Sequence, residues 1–214
     1  VQGQQVPPGV DTSVPSIARV YDAVLGGKDN YEVDRAVRDQ LFAMGPEAVH
    51  LARDNRAWLA RVVRYLAGTV GIDQFLDCGS GLPTADNTHQ VAQRVDPDAR
   101  VVYVDNDPIV LAHGRALLAD DASTAFVHAD IRDPAAVLAA PEVRDLLDLT
   151  RPVGLLHVGI LHHVNDDEGP YDVLRGCRRP RTRLPRRREP LLHPRRRRPA
   201  GRAGRRRGEG PARR

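Results

Sequence analysis

The sequence predicts an α/β protein, a doubly wound parallel sheet behind an N-terminal helical extension. Three observations predict it. Short apolar runs at 74–78, 101–105, 125–129 and 153–160 recur with room for a helix between them. Proline or a cluster of turn residues follows each of the first three, and there a helical pattern opens. The first run ends in Asp77-Cys78-Gly79-Ser80-Gly81 and the second in Asp105-Asn106-Asp107-Pro108. A glycine turn at one strand tip and an acid at the next is how a nucleotide-like ligand is held at the edge of a parallel sheet.

Each element has its own justification. Residues 1–12 are polar, carry Gly and Pro, and read as a flexible lead. Ser13 or Ser16 suits the N-cap of a helix through Ile17, Val20, Tyr21, Val24 and Leu25, which Gly26-Gly27 stops. A second helix runs from near Tyr31 to Gly45-Pro46. A third carries Val49, Leu51, Ala52, Leu59, Val62, Val63 and Leu66 at helical spacing. The first 70 residues are thus a helical preface, its helices within 13–70. Residues 71–174 then alternate. A helix over 84–95 follows the first strand, with Pro83 at its first turn. Pro108 opens another through Leu111, and Pro134 and Pro141 open two more, with Val137 and Leu138, then Val143, Leu146 and Leu147. Strand–helix alternation means right-handed crossovers and a parallel sheet. Beyond Leu174 the pattern stops. The last strands that such a domain needs are not legible, and 175–214 reads as an Arg/Pro-rich tail. It holds too few apolar residues to offset an ordering cost of about 1–2 kcal/mol per residue.

Composition separates body from tail. Of 214 residues 41% are apolar and only 4% aromatic, so the core is aliphatic. Lys28 is the one lysine. The net charge of +4 hides eighteen arginines against two acids (Glu189, Glu209) in 175–214, and 14 basic against 26 acidic residues elsewhere. An acidic body argues against nucleic acid as the partner of the folded part. The tail can meet phosphates, but it has no aromatic residue on which a base could stack. Its abrupt start fits an out-of-frame reading of GC-rich DNA better. Resequencing tests that idea, and it fails if no single-base slip near codon 175 restores a strand–helix pattern. Cys78 and Cys177 have neither disulfide-framework nor zinc spacing, so no metal site is expected, and a reducing cytoplasm is the natural compartment. No apolar leader or membrane span is legible.

The strand tips carry the chemistry. Gly79 and Gly81 let a ligand approach the backbone, and the turn is expected to feed a helix N-terminus that favours an anion. Asp77 suits a ligand ammonium. Asp105, 24 residues beyond Gly81 and with Asn106 beside it, suits the two hydroxyls of a ribose, unless it caps the next helix. Asp130 can take an adenine amine while the Ile131 N–H meets a ring nitrogen; a helix cap is the bland reading. His162 and His163, beyond the fourth strand, are candidates for a general base, with an ordinary polar role equally open.

Several blocks resemble an actinobacterial family of S-adenosylmethionine-dependent methyltransferases long held as a domain of unknown function. Pro15-Ser16-Ile17-Ala18-Arg19-Val20-Tyr21-Asp22-Ala23-Val24-Leu25-Gly26-Gly27-Lys28-Asp29-Asn30-Tyr31 is similar to its opening signature. Ala52-Arg53-Asp54-Asn55-Arg56, the segment from Phe75 to Thr84, that from Val102 to Pro108, and Leu161-His162-His163-Val164 resemble later blocks. The likeness spans roughly residues 13–174. It implies a class I, Rossmann-like methyltransferase fold and S-adenosyl-L-methionine as methyl donor. Asp77, Gly79 and Gly81 then match the cofactor loop, Asp105 the ribose acid and Asp130 the adenine-side acid. Tyr21, Lys28 and Asn30 would lie over the cofactor.

The expected reaction is methyl transfer to a small-molecule acceptor. An NAD-dependent oxidoreductase is the competing enzyme, although the turn lacks the third glycine of GxGxxG. A module binding nucleic acid through its tail, and an inactive relative, complete the alternatives.

Overall fold

The structure, a computed structural model, describes residues 6–117 and 121–177. Most of the predicted tail therefore lies outside the described residues. Three helices come first: α1 (Ile17–Leu25), α2 (Glu32–Met44) and α3 (Ala48–Tyr65), the last continuing into a π-helical turn at Leu66–Val70. Ser16, not Ser13, caps α1 by accepting the Arg19 N–H at 3.2 Å, and Gly26 ends it at φ +83°. Val10, from the predicted flexible lead, packs against a cluster of Ala18, Leu82, Ile109 and Val110.

Alternation then follows: β1 (Gln74–Cys78), α4 (Thr88–Gln93), β2 (Arg100–Asp105), α5 (Pro108–Leu117), β3 (Thr124–His128), α6 (Pro134–Ala139), α7 (Pro141–Leu146), β4 (Gly154–Leu156) and α8 (Pro170–Gly176). The strands pair in parallel in the order β3-β2-β1-β4. Side chains alternate across the sheet as the pleat requires. Phe75, Val101 and Tyr103 pack toward α3 and α4, whereas Leu76, Cys78, Val102 and Val104 pack toward α6 and α7. The strand order reverses between β1 and β4. That is where a doubly wound sheet opens a crevice at its C-terminal edge.

Three expectations need correction. The predicted helix 84–95 is only Thr88–Gln93, because Asn87 and not a residue near Pro83 makes the cap. The Asn87 N–H donates to Gln90 Oε1 at 2.9 Å, and Thr84 is held in the loop by donating its N–H to Asn87 Oδ1 at 2.9 Å. The predicted strand 153–160 stops at Leu156, since Gly159 sits at φ +70° and turns the chain away from extended geometry. One helix, α8, was not expected at all; Pro170 opens it and Val173 is its buried residue.

Candidate functional site

The turn after β1 is held by β2. Gly79 and Ser80 both donate their N–H groups to the Val104 carbonyl, at 2.8 and 3.2 Å, and Gly81 donates to Asp105 Oδ2 at 2.8 Å. These amides are consumed internally, and α4 begins only at Thr88. The expected helix N-terminus for an anion is therefore not at the turn. What the turn offers is shape. Gly79 has φ +71°, and a Cβ there would lie 2.3 Å from Ile160 Cγ1. Gly81 has φ +68°, and nothing lies within 4 Å of where its Cβ would sit. One glycine thus lets the loop from β4 press on the turn; the other leaves open space against the backbone.

Asp77 and Asp105 border that turn. Asp77 is buried at 4% exposure and accepts the Thr88 hydroxyl at 2.6 Å. Burial pushes its carboxyl above the usual range, against the pull of Thr88 and of the Arg56 charge. Asp105, half-buried, also accepts the Asp107 N–H on Oδ1 at 3.0 Å. Its pKa is raised by burial, against the backbone N–H groups of Asp107 and Gly81. A carboxylate has about four acceptor positions, so two remain after these bonds. Asn106 is exposed, and its carbonyl lies 2.9 Å from His128 Nε2.

Asp130 follows β3 on the same edge, in a different setting. Arg132 grips it, with Nη2 2.6 Å from Oδ2, and also pairs with Glu168 beyond β4. The hydrogen bonds from Arg132 hold the Asp130 carboxyl below its usual range. Ile131 packs on the apolar cluster of α6 and α7. The strand order places Asp77, Asp105 and Asp130 in adjacent rows of one sheet edge.

His162 and His163 form an exposed 3-10 turn beyond β4, their rings 4.0 Å apart. Burial first, then the charge of His162, lowers the His163 pKa. In the N-terminal helices, Tyr21 donates its hydroxyl to the Ala52 carbonyl at 3.0 Å and accepts from Asn55 Nδ2 at 3.1 Å, tying α1 to α3. Asn30 is buried and donates to Asp22 Oδ2 at 2.8 Å. Lys28 is exposed in the α1–α2 connection. The described residues thus give Tyr21 and Asn30 structural partners.

Arg56, on α3, was not singled out as a site residue. Its guanidinium reaches Thr84 Oγ1 at 2.5 Å and Asn87 Oδ1 at 3.3 Å, clamping the loop after the turn. With Asp77, Ser80 and Tyr103 it lines a cavity of about 10 Å³, enough for about one water. Two buried oxygens, Ser80 Oγ in the turn and Asp107 Oδ2 just after β2, lack a partner among the described residues.

With this geometry in view, the comparisons identify the family. A family described as S-adenosyl methyltransferase matches residues 3–186. The chain belongs to the S-adenosyl methyltransferase family. Two solved structures are similar. One is a protein from Thermobifida fusca YX described as a putative methyltransferase, 56% identical, with a TM-score of 0.76 over 79% of this chain. The other is a DUF574 family protein from Streptomyces avermitilis MA-4680, 48% identical, with a TM-score of 0.75 over 77% of this chain. The chain covers 64% of the length of each of these two proteins. No curated protein matches. Among the described residues of this S-adenosyl methyltransferase family member, no helix is long and apolar enough to cross a membrane.

Proposed function

We propose that the protein is a methyltransferase that binds S-adenosyl-L-methionine at the β1 turn and serves a small-molecule acceptor. The observation that carries this reading is the turn itself. Gly81 leaves its backbone open, and the buried Ser80 Oγ in the turn and Asp107 Oδ2 just after β2 have no partner among the described residues. Buried polar atoms without partners are uncommon and call for a ligand or water. Asp77 is the residue for the amino-acid end of the cofactor, Asp105 for the ribose, with Asn106 beside it, and Asp130 and Ile131 for the adenine. Tyr21 on α1, and Lys28 and Asn30 in the α1–α2 connection, belong to the segment that would cover it.

When bound, the cofactor supplies a methyl group already activated on a sulfonium, so the chain need not provide a nucleophile. Its own residues orient and exclude water. Asp105 is preset by Gly81 and Asp107, and the buried Asp77 by Thr88. His163, whose lowered pKa keeps it neutral at pH 7, accepts a proton from an amine or hydroxyl acceptor. Asp130 is taken up by Arg132, so adenine binding there requires that pair to open or share.

Calorimetry with S-adenosylhomocysteine against NAD tests the cofactor assignment, and preference for NAD overturns it. His163→Ala is expected to lower turnover about 10²-fold or more while leaving S-adenosylhomocysteine affinity unchanged. The wild-type rate is expected to fall on the acid side with a midpoint below the ordinary histidine value of 6.5. Loss of cofactor affinity in the variant removes His163 as the base. His162→Ala, tested alongside, shows which ring serves.

A further inference from the structure

The amino-acid end of the proposed cofactor carries two charges. Asp77 answers the ammonium. The backbone amides of the turn are not available to the carboxylate. The Gly79 and Ser80 N–H groups are spent on the Val104 carbonyl, and that of Gly81 on Asp105. Further along the loop, the Thr84 N–H goes to Asn87 Oδ1 and the Asn87 N–H to Gln90 Oε1. The short helix α4 begins only at Thr88.

Arg56 is the cation that the fold brings to this place. It sits on α3, half-buried, and its side chain crosses to the loop after the turn. Nη2 donates to Thr84 Oγ1 at 2.5 Å and to Asn87 Oδ1 at 3.3 Å. Those bonds hold the guanidinium in place and leave Nε and Nη1, three N–H groups, without a hydrogen-bond partner among the described residues. No carboxylate among the described residues makes an ion pair with it. Arg56 nevertheless lines one cavity with Asp77, Ser80 and Gly81. A cation with unspent donors and a buried acid thus border the same small space, beside the glycine whose backbone is open. The buried Ser80 Oγ, partnerless among the described residues, borders it too and has an O–H to give.

We propose that Arg56 is a specificity-determining residue: it binds the carboxylate of the cofactor's amino-acid end, so the site selects adenosyl thioethers that carry this group over those that lack it. Arg56 and Asp77 then read a zwitterion, one charge each. A guanidinium matches a carboxylate in shape, and it is more weakly hydrated than an ammonium. The hold of Thr84 and Asn87 aims it before the ligand arrives, which lowers the ordering cost of binding. A ligand without the carboxyl group leaves these donors unanswered, and that is the source of the selection. The inference rests on the proposed cofactor site.

The test is calorimetry on the full chain with two ligands, S-adenosylhomocysteine and its decarboxylated analogue, in which hydrogen replaces the carboxyl group. Ammonium, thioether and adenosine are the same in both. The wild type is expected to bind the first about 10- to 100-fold more tightly. Arg56→Gln keeps an amide N–H for Thr84 or Asn87 and removes the charge. Its two affinities are expected to lie within about threefold of each other, through loss of S-adenosylhomocysteine affinity alone. Arg56→Lys restores the charge without the planar donors and is expected to recover part of the preference. An equal loss for both ligands in Arg56→Gln means that Arg56 only clamps the loop, and overturns the proposal. A preference unchanged in that variant also overturns it, because another group then holds the carboxylate. Should a variant fail to fold, a crystal structure of the wild type with S-adenosylhomocysteine decides, by whether the carboxylate lies within hydrogen-bond distance of Arg56. A wild type that binds both ligands equally refutes the role of Arg56 and leaves the cofactor site standing. A wild type that binds neither refutes the cofactor site itself, and the role of Arg56 with it.

Discussion

In α1, α2 and the connection between them the buried side chains include Arg19, Asp22, Asn30 and Asp34. Those of β1 and β2 are Phe75, Leu76, Val101, Val102 and Val104, with Gln74 and Asp77 among the exceptions. The helices are joined by charge and hydrogen bonds. Arg19 Nε lies 3.0 Å from Asp34 Oδ2 with both side chains almost fully enclosed, and Arg19 also donates to the Asp11 and Val14 carbonyls. Asp34 accepts the Ser16 and Tyr31 N–H groups as well. The sheet is joined by aliphatic packing, which is non-directional and tolerant. A directional network specifies one arrangement but fails when a single member is lost. The body therefore has a forgiving half and a brittle half, and the proposed cofactor turn lies between them.

The sharpest way to break this contrast is Asp34→Ala. It leaves Arg19 buried without its carboxylate, and a loss of about 3–5 kcal/mol is expected in urea denaturation. Replacing both partners together, Arg19→Met with Asp34→Leu, should recover only the part due to the unpaired charge, because the Ser16 and Tyr31 N–H groups lose their acceptor in both variants; equal losses from single and double variants would mean the pair is not a unit.

Next comes the turn. Gly79→Ala imposes a left-handed alanine and an overlap with Ile160, at a cost of about 2–4 kcal/mol. Gly81→Ala meets open space and carries only the conformational cost of about 1–2 kcal/mol. It should nevertheless weaken S-adenosylhomocysteine binding, because the new methyl fills the space beside the backbone. Equal stability losses at the two glycines would contradict the geometry.

The smallest effect concerns Asp77, the acid inside the apolar half. Its folded pKa is raised by burial above 3.8, so its contribution to stability is fully present below 3.8 and is lost as pH rises through the folded value. Asp77→Asn, which can still accept from Thr88, escapes that loss. The variant should equal the wild type at low pH and exceed it at pH 7, while binding S-adenosylhomocysteine more weakly. A stability gain that is the same at every pH would show that ionisation is not the cause.

The sheet was legible because β1 and β2 are buried on both faces and their apolar residues run nearly continuously. β1, β2 and β3 fall within a residue of expectation. β4 was overextended because Val158 and Ile160 continue the run, and only the dihedral at Gly159 reveals the break. The start of α4 had a readable signal in Asn87 and Gln90, a cap followed three residues on by its partner, which the proline at 83 overshadowed. In the site, the acids and glycines at strand tips follow from strand position alone. Arg56 does not, because its role depends on how α3 lies across the β1–α4 loop. The Arg132–Asp130–Glu168 cluster was equally hidden, since one partner comes from a segment 36 residues away.

Among the described residues β4 pairs on one side only, with β1, and it is three residues long. A sheet margin is a template on which another molecule's backbone can add and grow into fibrils. Here the template is a stub. Three residues offer few main-chain groups to an added strand, and the left-handed glycine at 159 limits its length.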